Sequence, residues 1–256
     1  MNRTVCGLLL ALAISTIAKD ACARSFRAFT LDDLVSKSDL VLTGKVSDID
    51  VNVSTAFVMT HEANVTKAII KVDPIHIFYS TEALVTPVIV IYQDSDYFSG
   101  PSAPGHAKQP YRKDQSYLLF LKKRAEGFEA LQLTQGIAPI NGTTVKLYFG
   151  TADRPLIERY LELRVTSTTT TTQWDKFGGE LVAQADLNDG ERTRATFQML
   201  FSLPDRNQYE PIFIKGLDSP NSDVVYISMG CLAAIGSESG IKAIIDLYFR
   251  INKIDG

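Results

Sequence analysis

Apolar residues recur at every second position, or in short unbroken runs, from Leu40 to Phe149, and at every third or fourth position beyond Gly150. That change of period predicts strands first and helices afterwards. Leu40, Leu42 and Val46 share one face of the first strand, and after Ser47-Asp48 the apolar set moves to Ile49, Val51 and Val53. A one-residue change of phase within a period of two predicts a β-bulge that bends the strand, as small barrels require. Further strands are expected over 56–61, 66–72, 75–79, 88–92, 117–122, 128–134 and 145–149. The runs Val88-Ile89-Val90-Ile91 and Tyr117-Leu118-Leu119-Phe120-Leu121 predict strands covered on both faces. Pro74 and Pro87 are expected at strand ends or bulges, because proline donates no ladder hydrogen bond.

Ahead of the strands, Thr30-Leu31-Asp32-Asp33 has the form of a capping box and predicts a helix over 31–37. Segment 94–115 carries Pro101, Pro104, Pro110, Gly100 and Gly105, and reads as a long exposed loop. Past Gly150, Asp153-Arg154-Pro155 predicts a helix running to Val165, with proline in the first turn. The β-branched polar run 166–172 is a poor helix and reads as a linker. Thr193, Phe197, Leu200 and Phe201 form one helical stripe, and Tyr209, Ile212, Phe213 and Leu217 another. Ile241, Ile244, Ile245, Tyr248 and Phe249 form a third, at positions i, i+3, i+4, i+7 and i+8. Gly216, Gly230 and Gly236 are expected at helix ends or close contacts.

The start of the chain sets the cellular context. Arg3, the apolar run from Val5 to Ala18 and Ala21-Cys22-Ala23 make a cleavable secretory signal peptide over 1–23. The run of about 14 residues is shorter than the roughly 20 that cross a bilayer, and no later segment is long and apolar enough to span. The mature chain is expected to be soluble and exported, periplasmic or extracellular. Removing Arg3, Lys19 and Asp20 leaves 24 basic and 28 acidic side chains. A mildly acidic chain whose densest basic cluster is Lys122-Lys123-Arg124, at a strand end, offers little to nucleic acid. Cys6 and Cys22 leave with the leader, so Cys231 has no intramolecular disulfide partner. It lies in an apolar helical pattern and is expected to be a small core residue.

Two resemblances follow from longer stretches. Ser38-Asp39-Leu40-Val41-Leu42-Thr43-Gly44-Lys45-Val46, together with Lys113-Asp114-Gln115-Ser116-Tyr117-Leu118-Leu119-Phe120-Leu121, resembles the netrin/TIMP type of OB-fold over 26–150. Metalloproteinase inhibition in that family uses an N-terminal cysteine that binds zinc. The expected mature terminus here is Arg24-Ser25-Phe26, so the resemblance implies the fold and not the activity. Leu217-Asp218-Ser219-Pro220-Asn221-Ser222-Asp223-Val224-Val225, with Cys231-Leu232-Ala233-Ala234-Ile235-Gly236 and Gly240-Ile241-Lys242-Ala243-Ile244, resembles a HEAT repeat over 208–252. Helical pairs of that kind bury their apolar faces only by stacking, and usually bind proteins. The expected fold class is α+β, an N-terminal OB-like β-barrel followed by a short C-terminal HEAT-like helical region. Its parts are a signal peptide at 1–23, a barrel at 24–150, a helix and Thr-rich linker at 151–173, and helices at 174–256.

No nucleophile elbow, Walker loop or dinucleotide fingerprint occurs. Asp94-Ser95-Asp96 and Asp186-Leu187-Asn188-Asp189-Gly190 begin like calcium loops but place serine or glycine wrongly, and are expected to cap turns or helices. His61, His76 and His106 show no metal-ligand spacing, although strands can bring distant histidines together. No catalytic residue, cofactor or metal is assigned. Tyr92, Asp94, Asp96, Tyr97, Phe98, His106 and Tyr111 flank or occupy the proline-rich loop and form the candidate partner-binding set. The alternative for the aromatics is to pin that loop to the barrel. The expected function is an exported, non-enzymatic module for an as yet unidentified protein partner. A sharper form is an inhibitor or immunity protein for an extracytoplasmic hydrolase. The opposing form is a wall- or glycan-acting hydrolase with a site between the two halves.

Overall fold

In a computed structural model, which describes residues 30–58, 61–95, 110–131 and 135–253, the period-two half of the chain becomes eight strands. The expected leader at 1–23 lies outside the described residues. Helix α1 (Leu31–Lys37) comes first, and Leu31 and Leu34 bury against the sheet while Ser38 Oγ donates to Leu34 O at 2.6 Å. Strands β1 (Leu40–Val58) and β2 (His61–Ser80) are each far longer than a typical strand. They are followed by β3 (Val88–Ser95), β4 (Ser116–Arg124), β5 (Gly127–Ala130), β6 (Ile137–Asn141), β7 (Thr144–Leu147) and β8 (Gly150–Asp153).

Hydrogen bonding runs β1-β2-β3-β5-β4-β6-β7-β8, with a further antiparallel pairing that returns from β4 to β1. The β3–β5 pair is parallel and the other pairs are antiparallel, so the sheet is mixed. The register of β1 on β2 shifts between Val46 and Asp48, where the change of hydrophobic phase predicts a bulge. A second shift, between Thr43 and Gly44, brings Pro74 opposite Gly44, so the proline sits at an irregularity as expected. Pro87 lies immediately before β3. Leu40, Leu42, Val46, Ala68, Ile70, Val88, Val90, Leu119, Leu121 and Phe128 pack into one core.

Several elements differ from the sequence reading. The expected pieces at 56–61, 66–72 and 75–79 merge into the continuous β1 and β2, because cross-strand pairing carries each strand through its weakly patterned middle. Strands β6 and β8 have no sequence counterpart above. Pro139 interrupts the propensity of β6, yet its position opposite Tyr117 on β4 holds the strand. Gly142-Thr143, with Gly142 at φ +60°, makes the two-residue turn between Asn141 of β6 and Thr144 of β7, and the glycine is the signal that marks this hairpin.

Asp39, immediately before β1, ties the start of that strand to β4. Its carboxylate accepts from Lys122 Nζ at 2.8 Å and from the Lys123 backbone N–H at 2.9 Å, and its own N–H donates to Leu121 O. These bonds, the Lys122 one first, hold the Asp39 carboxyl below its ordinary range. A depressed carboxylate contributes stability that is fully present above its unfolded pKa and lost as pH falls through the folded value. Asp39→Asn is therefore expected to flatten the decline of unfolding free energy between about pH 5 and about pH 2. Urea titrations across that range check it, and an unchanged slope contradicts it.

After β8 come α2 (Arg154–Val165), α3 (Thr171–Gln184), α4 (Gly190–Phe201), a 3-10 turn (Arg206–Tyr209), α5 (Glu210–Gly216), α6 (Ser222–Ile235) and α7 (Glu238–Lys253). Pro155 occupies the first turn of α2, as predicted. The threonine run does not stay extended to its end. Thr170 forms a reciprocal capping box with Gln173, and α3 begins at Thr171. Ala195, Phe197, Met199 and Leu200 bury the inner side of α4, and Phe197 meets Phe213 of α5 edge-on at 5.0 Å between centroids. Gly216 allows α5 and α6 to cross closely, since a Cβ there would fall 2.1 Å from Ser228 Oγ. Gly236 closes α6 in the left-handed conformation at φ +72°. The chain is thus α+β, and Leu31–Gly256 form one compact unit.

The third helical stripe faces the wrong way for a core. On α7 the buried positions are Gly240 and Leu247, while Ile241, Tyr248 and Phe249 are exposed. Cys231 is buried on α6, and desolvation pushes its thiol up to about 12, so it is the inert core residue expected.

Candidate partner-binding surface

The nine-residue β4 covers only the first six positions of the nineteen-residue β1, from Leu40 to Lys45. Beyond Val46, β1 pairs with β2 alone, and β2 pairs with β3 over Val65 to Val72. Cross-strand rows keep their side chains on one face. The rows are Ile49–Ile70–Val90 and Val51–Ala68–Tyr92, and Val53 follows Val51 on the same face of β1. The first continues the core. Ala68 and Tyr92 of the second row stay in the core, while on β1 the apolar set outruns its cover: Val51 and Val53 are 47% and 48% exposed.

The proline-rich loop leaves the sheet from this same end. Asp94, opposite Thr66, is the last candidate residue within a described strand. Asp96, Tyr97, Phe98 and His106 lie outside the described residues. The chain returns at Pro110. Tyr92 and Tyr111, at the two ends of the loop, are both in the core, 5% and 2% exposed. Tyr111 lies 5.5 Å from Tyr117 between ring centroids, and burial raises its phenol above the ordinary range. Tyr117 OH donates to Pro110 O and accepts from the Arg112 backbone N–H at 2.8 Å. These rings pin the base of the loop, and neither offers its face to a partner.

A second clamp fixes the returning chain. Asp114 stands at φ +64°, a left-handed conformation that aspartate tolerates better than most residues. Its N–H donates to Val46 O at 2.8 Å, and its carboxylate meets Lys45 Nζ at 2.9 Å. The Lys45 hydrogen bond holds the Asp114 carboxyl below its usual range. The returning end is thus fastened to the bend in β1, and the outgoing end to β2 through β3, so a rigid scaffold holds both ends of the segment.

Other sites suggested by the sequence are placed plainly. His76 is exposed and meets Phe78 edge-on at 4.4 Å, His61 opens β2, and His106 is outside the described residues. Among the described residues no cluster of three metal-ligating side chains occurs. Lys122, Lys123 and Arg124 each engage a carboxylate, on Asp39, Glu82 and Glu129 respectively. The Asp186–Gly190 run makes a turn: Asp186 Oδ1 accepts from the Asn188 N–H, and Asp189 caps α4. A cleft of about 190 Å³ between β8, α3 and α4 is lined by Thr151, Asp153, Gln184 and Arg192. A shallower groove of about 560 Å³ between α2 and α3 is lined by Glu158, Arg159, Glu162 and Lys176. Glu158 there is bound by Arg154 at 2.6 Å, and Arg159 by Glu180. No helix among the described residues is long and apolar enough to cross a membrane.

No protein-family model matches this chain, and no curated protein matches it in sequence. The surface is read from its own geometry. Sequence periodicity puts Ile49, Val51 and Val53 in one apolar set beyond the bend. The exposure of Val51 and Val53 comes from the length mismatch between β1 and β4, which only the pairing reveals.

Proposed function

We propose that this is an exported, non-enzymatic binding protein that holds a protein partner at the far end of β1, β2 and β3. The observation that carries the reading is the pair Val51 and Val53, left uncovered where the pinned loop emerges level with Asp94. Neighbouring uncovered apolar side chains can seed a protein contact when an adjoining segment enlarges the surface. Asp50, Asn52 and Ser54 alternate with the two valines and project from the opposite face of the strand. The candidate residues Asp94, Asp96, Tyr97, Phe98 and His106 fall in sequence between the buried rings of Tyr92 and Tyr111.

The strand circuit supports a finer reading of the fold. A five-strand path β1-β2-β3-β5-β4 that returns to β1, with β3 and β5 parallel, suits an OB-like barrel of the netrin/TIMP type. The crossing of α5 with α6, and α7 laid against α6, suit a HEAT-like stack. Tyr92 and Tyr111, held in the core on either side of the loop segment, favour the inhibitor or immunity form of the proposal, since fixed ends lower the cost of ordering the chain between them on binding. The hydrolase reading would place its site in the cleft between β8 and the helices. Asp153 is the one carboxylate among its described lining residues and faces Arg192 at 3.8 Å, whereas glycoside hydrolysis uses two carboxylates.

The test uses the mature protein as bait in its native envelope fraction. Val51→Asp combined with Val53→Asp, and separately deletion of residues 96–109, are each expected to abolish capture of the partner. Both are expected to leave the melting temperature within a few degrees of wild type, because Val51 and Val53 are exposed and a change of loop length alters closure entropy little. Full capture by either variant overturns this surface.

A further inference from the structure

Helix α7 turns its most hydrophobic stripe outward. Ile241, Tyr248 and Phe249 are 46%, 48% and 51% exposed, and Ile245 is half-buried between them. With about 3.6 residues per turn, positions 241, 245 and 248 fall on one side of the helix and 249 next to them. Along one edge of this stripe stand Glu238, Lys242, Asp246 and Arg250, all exposed and spaced by four. Their signs alternate. Arg250 reaches Asp218 at 2.7 Å, and Lys242 and Asp246 form no ion pair among the described residues.

The order negative, positive, negative, positive is complementary to its own reverse. In an antiparallel pair of identical helices each edge meets the same edge of the other copy, and a two-fold contact makes every pairing reciprocal. A two-fold axis beside Ile244 sets Lys242 against Asp246 of the second copy, Asp246 against Lys242, and Glu238 against Arg250. The same axis lays Ile241 against Tyr248 of the other copy and keeps Ile245 at the centre. A parallel pairing would set this charged edge against the opposite edge of the other copy, which carries Ile244 and Ile251 and offers no complementary charge. An anionic lipid surface would favour an excess of lysine and arginine along the stripe, and here the two signs are balanced.

We propose that α7 is the contact of a homodimer, in which two copies of this chain pair their terminal helices antiparallel about Ile244. The proposal is independent of the partner surface on β1–β3. One helix per copy is a small contact, so the dimer is expected to be reversible and micromolar.

Sedimentation velocity of the full mature chain over a micromolar concentration series tests it. Wild type is expected to pass from monomer to dimer. Lys242→Glu gives two acidic positions per copy and Asp246→Lys two basic ones, so each variant alone repels itself and is expected to dimerise about tenfold more weakly or worse. An equal mixture of the two variants restores opposite charges at both contacts, and is expected to dimerise like wild type. Both substitutions are at exposed positions, and circular dichroism melts confirm that each variant is folded. The proposal is overturned if wild type stays monomeric throughout, if it stays monomeric yet co-sediments with anionic vesicles, if either variant dimerises as wild type does, or if the mixture does not associate.

Discussion

Gly150→Ala is expected to lower the melting temperature by on the order of 10 °C, although it adds a single methyl group. Gly150 opens β8 at φ +153°, a conformation that L side chains rarely adopt. A Cβ there would lie 2.4 Å from Glu191 O and 3.1 Å from Ala195 N, both backbone atoms of α4. Neither can swing aside as a side chain would. Backbone strain of about 1–3 kcal/mol adds to an overpacking cost of about 1–3 kcal/mol. Gly142→Ala is the control. It also has positive φ, at +60°, but nothing lies within 4 Å of its Cβ position. It should lose only the left-handed penalty of about 1–2 kcal/mol. Thermal melts of both proteins check the contrast, and equal losses would mean that β8 does not sit against α4.

Phe197→Ala is expected to cost about 3–5 kcal/mol, the range for emptying a buried aromatic site. Phe197 is fully buried on α4, meets Phe213 edge-on, and lies against Gly216 where α5 crosses α6. Its loss opens a cavity at the junction of three helices whose backbones have no side chain at position 216 to move inward. Tyr226→Ala on α6 removes a ring that is 80% exposed and should change stability by no more than about 0.5 kcal/mol. Urea unfolding compares them. Because Leu31–Gly256 form one compact unit, Gly150→Ala and Phe197→Ala are both expected to move a single cooperative transition. Two separate transitions, only one of them moved by Phe197→Ala, would contradict that.

Strong local signals in the sequence map directly onto the fold. A polar cap before Leu31 marks α1, proline in the first turn marks α2, and the phase change after Ser47 marks the register shift between Val46 and Asp48. What escaped was decided by partners distant in sequence. Pro139 argues against a strand until Tyr117 is seen beside it, and the middle of β1 looks weak until β2 runs along its full length. Periodicity assigned α7 an apolar side but carried no information on which side is covered, and the covered side is the one with Gly240 and Leu247. The candidate loop shows the same division. Its flanking tyrosines were legible as important, yet burial makes Tyr92 and Tyr111 anchors, while the uncovered valines on β1 supply the adjoining surface.

Photo-crosslinking in the producing cell bears most directly on the binding role. A photoreactive amino acid at position 53 is expected to trap one discrete protein adduct, while the same residue at position 226 on α6 does not trap that protein. An absence of any adduct from position 53, or the same set of adducts from both positions, would contradict a partner seated at the end of β1–β3.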